Sequence, residues 1–173
     1  MSANTVKIAP NQYLTFKLGA EMFALDVAQV REILDFTTIT KVPRAPAFMR
    51  GVINVRGSVV PVVDLALKFD MAQAEKTLET RIVVVEVVHE GQVTVIGAVA
   101  DAVRNVIEID PARIEATPRI GAARNSDFIK GIGKQQDAFI IILDVDRIFS
   151  ADELAEVQPT ANRSREDQGQ RAA

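Results

Sequence analysis

The sequence predicts a mainly β protein with short helices, built as small barrels packed on one another, and three observations carry that reading. A segment occurs twice: Phe48-Met49-Arg50-Gly51-Val52 leads through an apolar strand to Asp64 and on to Phe69, and Phe128-Ile129-Lys130-Gly131-Ile132 leads likewise to Asp144 and Phe149. Phe to Gly is 3 residues, Gly to Asp 13 and Asp to the last Phe 5 in both copies, so one supersecondary unit is used twice. Apolar runs are short, rich in β-branched residues and separated by turn signals, and no long helical period interrupts them.

A fainter echo lies upstream, where residues 27–34 resemble residues 100–107, and Val42-Pro43-Arg44 resembles Thr117-Pro118-Arg119. The offset grows from 73 to 75 to 80 residues, which places small loop insertions in the second half. Each half then runs hairpin, irregular strand with a helical turn, Pro-containing loop, second hairpin, short helix. Two such repeats are too small to bury their own faces and have to pack together across a seam between the halves.

Taken in order, Tyr13–Leu18 alternates apolar and polar, and Gly19-Ala20-Glu21 turns it into Met22–Leu25, a hairpin. Val27, Val30, Ile33 and Leu34 follow helical spacing for about one and a half turns, opened by Asp26 as a cap. Pro43 and Pro46 stop any continuation. Residues 51–54 and 58–63 form a second hairpin about Arg56-Gly57, with Pro61 marking an edge or bulge. Asp64 caps a short helix through Phe69, and residues 71–80 connect the halves. Residues 82–88 and 92–99 flank the turn His89-Glu90-Gly91. The second half repeats the plan, with residues 138–143 as a buried strand and a helical turn over 152–157. Residues 1–11 read as a flexible tail, 12–157 as the folded domain and 158–173 as a disordered tail.

Composition narrows the function. A chain of 173 residues with 48% apolar content supports a real core. A net charge of −3 offers no footprint for nucleic acid or anionic lipid. Without Cys there is no disulfide or thiol chemistry, and neither a signal peptide nor a spanning helix is legible, so a cytoplasmic protein is expected. His89, the sole histidine, sits in a hairpin turn; no cluster has metal-ligand spacing and no glycine-rich loop cradles phosphate. Asp64 and Asp144 resemble an acid–base pair only until their equivalence in the repeat is noticed, because capping explains both. Neither a catalytic residue nor a cofactor is expected.

Two features leave alternatives open. Arg56 and Glu32 are charged in the first repeat, where the second has residues 134–136 and Asn105, so the pair is either functional or a solvated ion pair. The apolar set Val27, Val30, Ile33, Val99 and Val103 is either core or the wall of a groove that accepts a partner helix.

The run from Pro43 through Pro46 and Phe48-Met49-Arg50-Gly51-Val52-Ile53-Asn54-Val55-Arg56-Gly57 to Val60-Pro61-Val62-Val63-Asp64-Leu65 closely resembles the signature of CheW-type chemotaxis coupling proteins. Phe23–Val27 leading to Val30–Ile33, and Phe128–Gly131 leading to Phe149, match the same family, so the resemblance spans about residues 12–157. It implies two five-stranded, SH3-like barrels around a shared core. It implies a non-catalytic adaptor that links the cytoplasmic helical tip of chemoreceptors (methyl-accepting chemotaxis proteins) to the regulatory domain of a histidine kinase, at the membrane only through its partners. A homologous non-flagellar sensory pathway is the alternative; a small-ligand-binding barrel is the distant one. By position, Val27, Val30, Ile33 and Val99 match receptor-groove residues, Glu32 and Arg56 a charged coupling pair, Gly51 and Gly57 tight backbone positions, and Ile82 and Ile120 faces turned to the kinase.

Overall fold

The structure, a computed structural model, describes residues 11–73, 75–116, 128–135 and 137–157. The expected tails (Asn11 apart), the loop around Thr117-Pro118-Arg119 and the kinase-facing candidate Ile120 lie outside the described residues.

Among the described residues, eleven strands form two curled antiparallel-rich sheets. Chain order is β1 (Gln12–Leu18), β2 (Glu21–Asp26), a 3-10 turn (Val27–Gln29), β3 (Val30–Asp35), β4 (Met49–Val55), β5 (Ser58–Asp64) and α1 (Leu65–Lys68). Then come β6 (Arg81–His89), β7 (Gln92–Ala100), β8 (Ala102–Glu108), a second 3-10 turn (Pro111–Arg113), β9 (Ile114–Glu115), β10 (Ile129–Gln135), β11 (Ala138–Leu143), α2 (Val145–Ile148) and α3 (Ala151–Val157). One sheet has the order β3-β6-β7-β5-β4, the other β8-β1-β2-β11-β10-β9. The extra strand in the second is the two-residue β9.

This arrangement corrects the expected seam. Among the described residues the strands and short helices of each half follow the anticipated order, yet neither half folds on its own strands. The hairpin β6–β7 of the second half is inserted between β3 and β5 of the first, while β1–β2 of the first is inserted between β8 and β11 of the second. The two insertions are equivalent: each is joined to the last strand of the other repeat by a parallel pairing, β5 with β7 and β11 with β2. Reciprocal exchange gives both sheets one strand order, and the boundary between barrels is not the boundary between halves.

The exchanged hairpins are covered on both faces. Along β6, Val83, Val85 and Val87 face the core shared by the barrels, while Ile82 and Val84 face the interior of their own barrel. Along β1, Leu14, Phe16 and Leu18 face the shared core and Tyr13 the interior of the other barrel. Side chains alternate faces along a strand, so a strand covered twice needs apolar residues at nearly every position. That need explains the run Ile82-Val83-Val84-Val85.

The repeated Phe–Gly–Asp block now has a physical account. Asp64 accepts from the Leu67 N–H at 3.2 Å and its own N–H donates to the Phe48 carbonyl; Asp144 accepts from Asp146 N–H and donates to the Phe128 carbonyl. The phenylalanines pair across the repeats: Phe69 stacks on Phe128 at 4.4 Å and Phe48 meets Phe149 at 5.6 Å. Helix α3 closes the shared core with Leu154 and Val157, and its first turn is a reciprocal capping box between Ser150 and Glu153.

Candidate functional site

The chain crosses between the barrels at two places, residues 27–29 and the bend at Asp101, and the candidate groove residues gather there. Asp26 caps the first crossing by accepting from the Ala28 N–H at 2.9 Å. The expected helix of one and a half turns is corrected here: a single 3-10 turn gives way at Val30 to strand β3. Val27, Val30 and Ile33 nonetheless share a side. Residues three apart eclipse in a 3-10 turn, which aligns Val27 with Val30. A β-bulge between Val30 and Glu32 then sets Val30 opposite Val85 and Ile33 opposite Val83, both of which face the shared core. The apolar spacing was a true signal with a different cause.

Val27 and Val30 are half-buried against the shared core, and Ile33 is 42% exposed. Val103 occupies the equivalent place after the second crossing, opposite Phe16, also half-buried against the shared core. The seam therefore carries valines that are neither sealed nor free. Val99 departs from this set: at 7% exposure it belongs to the interior cluster of the five-stranded barrel. Ile82, opposite it on β6, is 0% exposed. Neither side chain presents a surface to a partner, because a hairpin covered on both faces buries both sets of residues. The expected roles of Val99 as a groove residue and Ile82 as a kinase contact are corrected accordingly; both side chains belong to the barrel interior.

The same bulge that aligns Val30 with Ile33 turns Glu32 to the other face, opposite Val84, at the barrel mouth. Arg56 reaches it from the β4–β5 turn, where Arg56 and Gly57 have φ of 50° and 87°, the two left-handed positions of a type I′ turn. The guanidinium donates from both terminal nitrogens to both carboxylate oxygens, with Nη1 to Oε1 at 3.0 Å. This fork joins strands from opposite ends of the sheet order. Hydrogen bonding to Glu32 and its negative charge raise the Arg56 pKa above its ordinary value. The Arg56 side chain is 76% exposed and Glu32 half-buried, which leaves the positive end of the pair available. Beside it a groove of about 500 Å³ is lined in part by Val59, Pro61, Val93 and Val95. Val59 and Val93 escaped sequence reasoning; their signal is an apolar residue next to a hairpin tip, where a polar one is the norm.

Gly51 sits at φ 143°, and a Cβ there would collide with the Thr40 carbonyl oxygen. Thr40 and Val52 exchange backbone hydrogen bonds of 2.8 and 2.9 Å, the bridge that ties the β3–β4 connection to β4. Gly51 is thus a close-approach residue and Gly57 a turn residue. Among the described residues no cluster of His, Asp or Glu has the arrangement to hold a metal, and no helix is long and apolar enough to cross a membrane.

The model of the CheW-like domain matches residues 12–153. The chain belongs to the CheW family. It is 31% identical over 150 residues to the chemotaxis protein CheW of Klebsiella aerogenes, covering 87% of this chain and 88% of that one. It is 32% identical over 142 residues to the chemotaxis protein CheW of Rhizobium meliloti, covering 82% and 89%. A crystal structure of the scaffolding protein TtCheW from Thermoanaerobacter tengcongensis aligns with a TM-score of 0.74 and 34% identity over 84% of this chain and 91% of that one. Membership makes this chain a chemotaxis scaffold, and the two-barrel fold is the family's. CheW is a scaffold family of chemotaxis signalling.

Proposed function

We propose that the protein is a non-catalytic cytoplasmic adaptor that couples the helical tip of transmembrane chemoreceptors to a chemotaxis histidine kinase and passes receptor state to kinase activity. The observation that carries the reading is the seam itself. Val27, Val30 and Ile33 stand on one side of a chain crossing between two barrels, partly open to solvent, and an apolar strip of this kind fits one face of an amphipathic helix. The regulatory domain of the kinase engages a surface elsewhere that does not include the side chains of Ile82 and Val99, which lie inside the five-stranded barrel. Glu32 and Arg56 hold the mouth of the five-stranded barrel in one shape and present a fixed positive charge to a partner. Signal then passes as a coupling free energy between two bound interfaces.

The test is Arg56→Glu in a reconstituted mixture of receptor-bearing membranes, kinase and adaptor. Receptor-dependent stimulation of the kinase is expected to collapse, with the variant still folded. Unchanged stimulation removes Arg56 from the mechanism. Failure of the wild-type protein to sediment with either receptor membranes or kinase defeats the adaptor reading as a whole.

A further inference from the structure

The repeat supplies an internal control, because each junction between barrels occurs twice. Val85 of β6 faces Val30 and Phe16 of β1 faces Val103, so Val88 and Gly19, three residues on, are equivalent. Both backbone N–H groups lie beyond the last residue paired with the neighbouring strand, so neither is taken up by that strand, and each meets a side-chain acceptor instead. Gly19 finds one locally: its N–H donates at 2.6 Å to Oδ2 of Asp101, whose own N–H donates to the Lys17 carbonyl on the same strand. Val88 has no such neighbour, since the residue equivalent to Asp101, 73 positions earlier, is Ala28. Its N–H instead donates at 2.8 Å to Oδ1 of Asp146 on α2, an element that follows the last long strand of the other barrel.

That oxygen has a second donor. Gln29 Nε2, on the 3-10 turn between Val27 and Val30, lies 2.8 Å from Asp146 Oδ1 and 3.3 Å from the Glu86 carbonyl. The Glu86 carboxylate is held in turn by Arg31 at 3.2 Å. One oxygen of Asp146 thus ties the turn that carries the groove valines, and the strand behind it, to the opposite barrel. The equivalent of Asp146, eighty residues earlier, is Ala66, and the equivalent of Gln29 is Ala102. Both partners are polar at one junction and both are alanine at the other. The fold stands without the tie at the second junction, so its presence at the first is not a demand of the architecture. Helix capping does not explain it either, because Asp144 already caps α2.

We propose that Asp146 and Gln29 are positioning residues for the partner groove, a latch that holds the Val27–Val30 crossing at a set place against the opposite barrel. The inference rests on the groove reading above. With the latch made, the groove is preformed and a helix docks without first ordering its wall; with the latch broken, the crossing moves relative to α2 and affinity falls.

Three measurements on folded protein test it, comparing wild type with Asp146→Ala, Gln29→Ala and the conservative Asp146→Asn, which keeps an acceptor oxygen. Amide exchange at Val88 is expected to quicken at least tenfold in Asp146→Ala and to stay near wild type in Asp146→Asn. The chain has no cysteine, so spin labels at Glu90→Cys and Lys130→Cys report one interbarrel distance, expected to be narrow in wild type and broadened in Asp146→Ala. Affinity for a receptor-tip helical hairpin is expected to fall at least threefold in Asp146→Ala and Gln29→Ala, with recovery in Asp146→Asn. Unchanged exchange and distance in Asp146→Ala overturn the latch. A broadened distance with unchanged hairpin affinity overturns its role at the groove. If wild type itself ignores the hairpin, the adaptor reading fails, while exchange and distance still decide whether Asp146 sets the crossing.

Discussion

Shortening Phe16 to leucine tests whether the two barrels are one cooperative body. Phe16 is 1% exposed, lies in the shared core and stacks on Phe23 with ring centroids 6.0 Å apart. The change removes three carbons from a fully buried site. At ~0.8 kcal/mol per buried methylene the loss is about 2–3 kcal/mol, with any residual cavity adding to it. For a chain of this size each kcal/mol lowers Tm by roughly 2–4 °C, so a fall of about 5–10 °C is expected. Because a tenfold change in equilibrium corresponds to ~1.4 kcal/mol, the slowest amides should exchange about 30–150 times faster. The informative reading is where that happens. Phe16 belongs to the six-stranded sheet, yet the shared core that holds it also holds Val83, Val85 and Ile96 of the five-stranded one. Native-state hydrogen exchange should therefore show the same acceleration at Val62 and Ile82 as at Ile140 and Ile142. Acceleration confined to the six-stranded sheet would refute the claim that exchanged hairpins weld the barrels together.

Other substitutions probe the site. Gly51→Ala should destabilise the protein by more than Gly57→Ala, since both carry a strained φ worth ~1–3 kcal/mol but only Gly51 also drives a Cβ into the Thr40 carbonyl; urea titration of the two variants compares them, and equal losses would contradict the close approach. Ile82→Val should cost about 0.5–1.5 kcal/mol and leave kinase affinity unaltered, whereas Ile33→Ser should barely move Tm and weaken binding of a receptor hairpin; calorimetry and binding isotherms separate the two effects. Burial pushes the Glu153 pKa up, but hydrogen bonds from Lys68 and Ser150 and the Lys68 charge together bring it below the ordinary glutamate value. Its stabilising contribution is therefore present above that ordinary value and is lost as pH falls through the lowered folded-state pKa. Glu153→Gln should flatten the acid limb of Tm against pH, and an unchanged acid limb would exclude the Lys68–Glu153 contact as its source.

Much of the fold was legible because strand and turn chemistry are local. The β6–β7 turn announced itself through Glu90-Gly91, both at positive φ, and the caps Asp64 and Asp144 through their common distance from a glycine. The Glu32–Arg56 pair was legible as an asymmetry between copies. Val27, Val30 and Ile33 were recognised as one face under the wrong geometry, since a 3-10 turn followed by a bulge reproduces the three-residue spacing of a helix. Ile82 and Val99 were misplaced for a related reason: apolar residues on consecutive strand positions do not say which face meets a partner and which meets a second core.

The order of elements and the turns follow from the residues alone, because each depends on neighbours a few positions away, and the twofold plan follows from comparing two copies; that Glu32 and Arg56 meet depended on the sheet that brings their strands together. Which hairpin enters which barrel depended on tertiary structure. Both repeats offer compatible strands to either partner, and the choice is made by Phe69 against Phe128, Phe48 against Phe149 and the valines of β6 packed in one core with Leu14, Phe16 and Leu18 of β1. Those contacts lie far apart in the chain, and only packing selects among them.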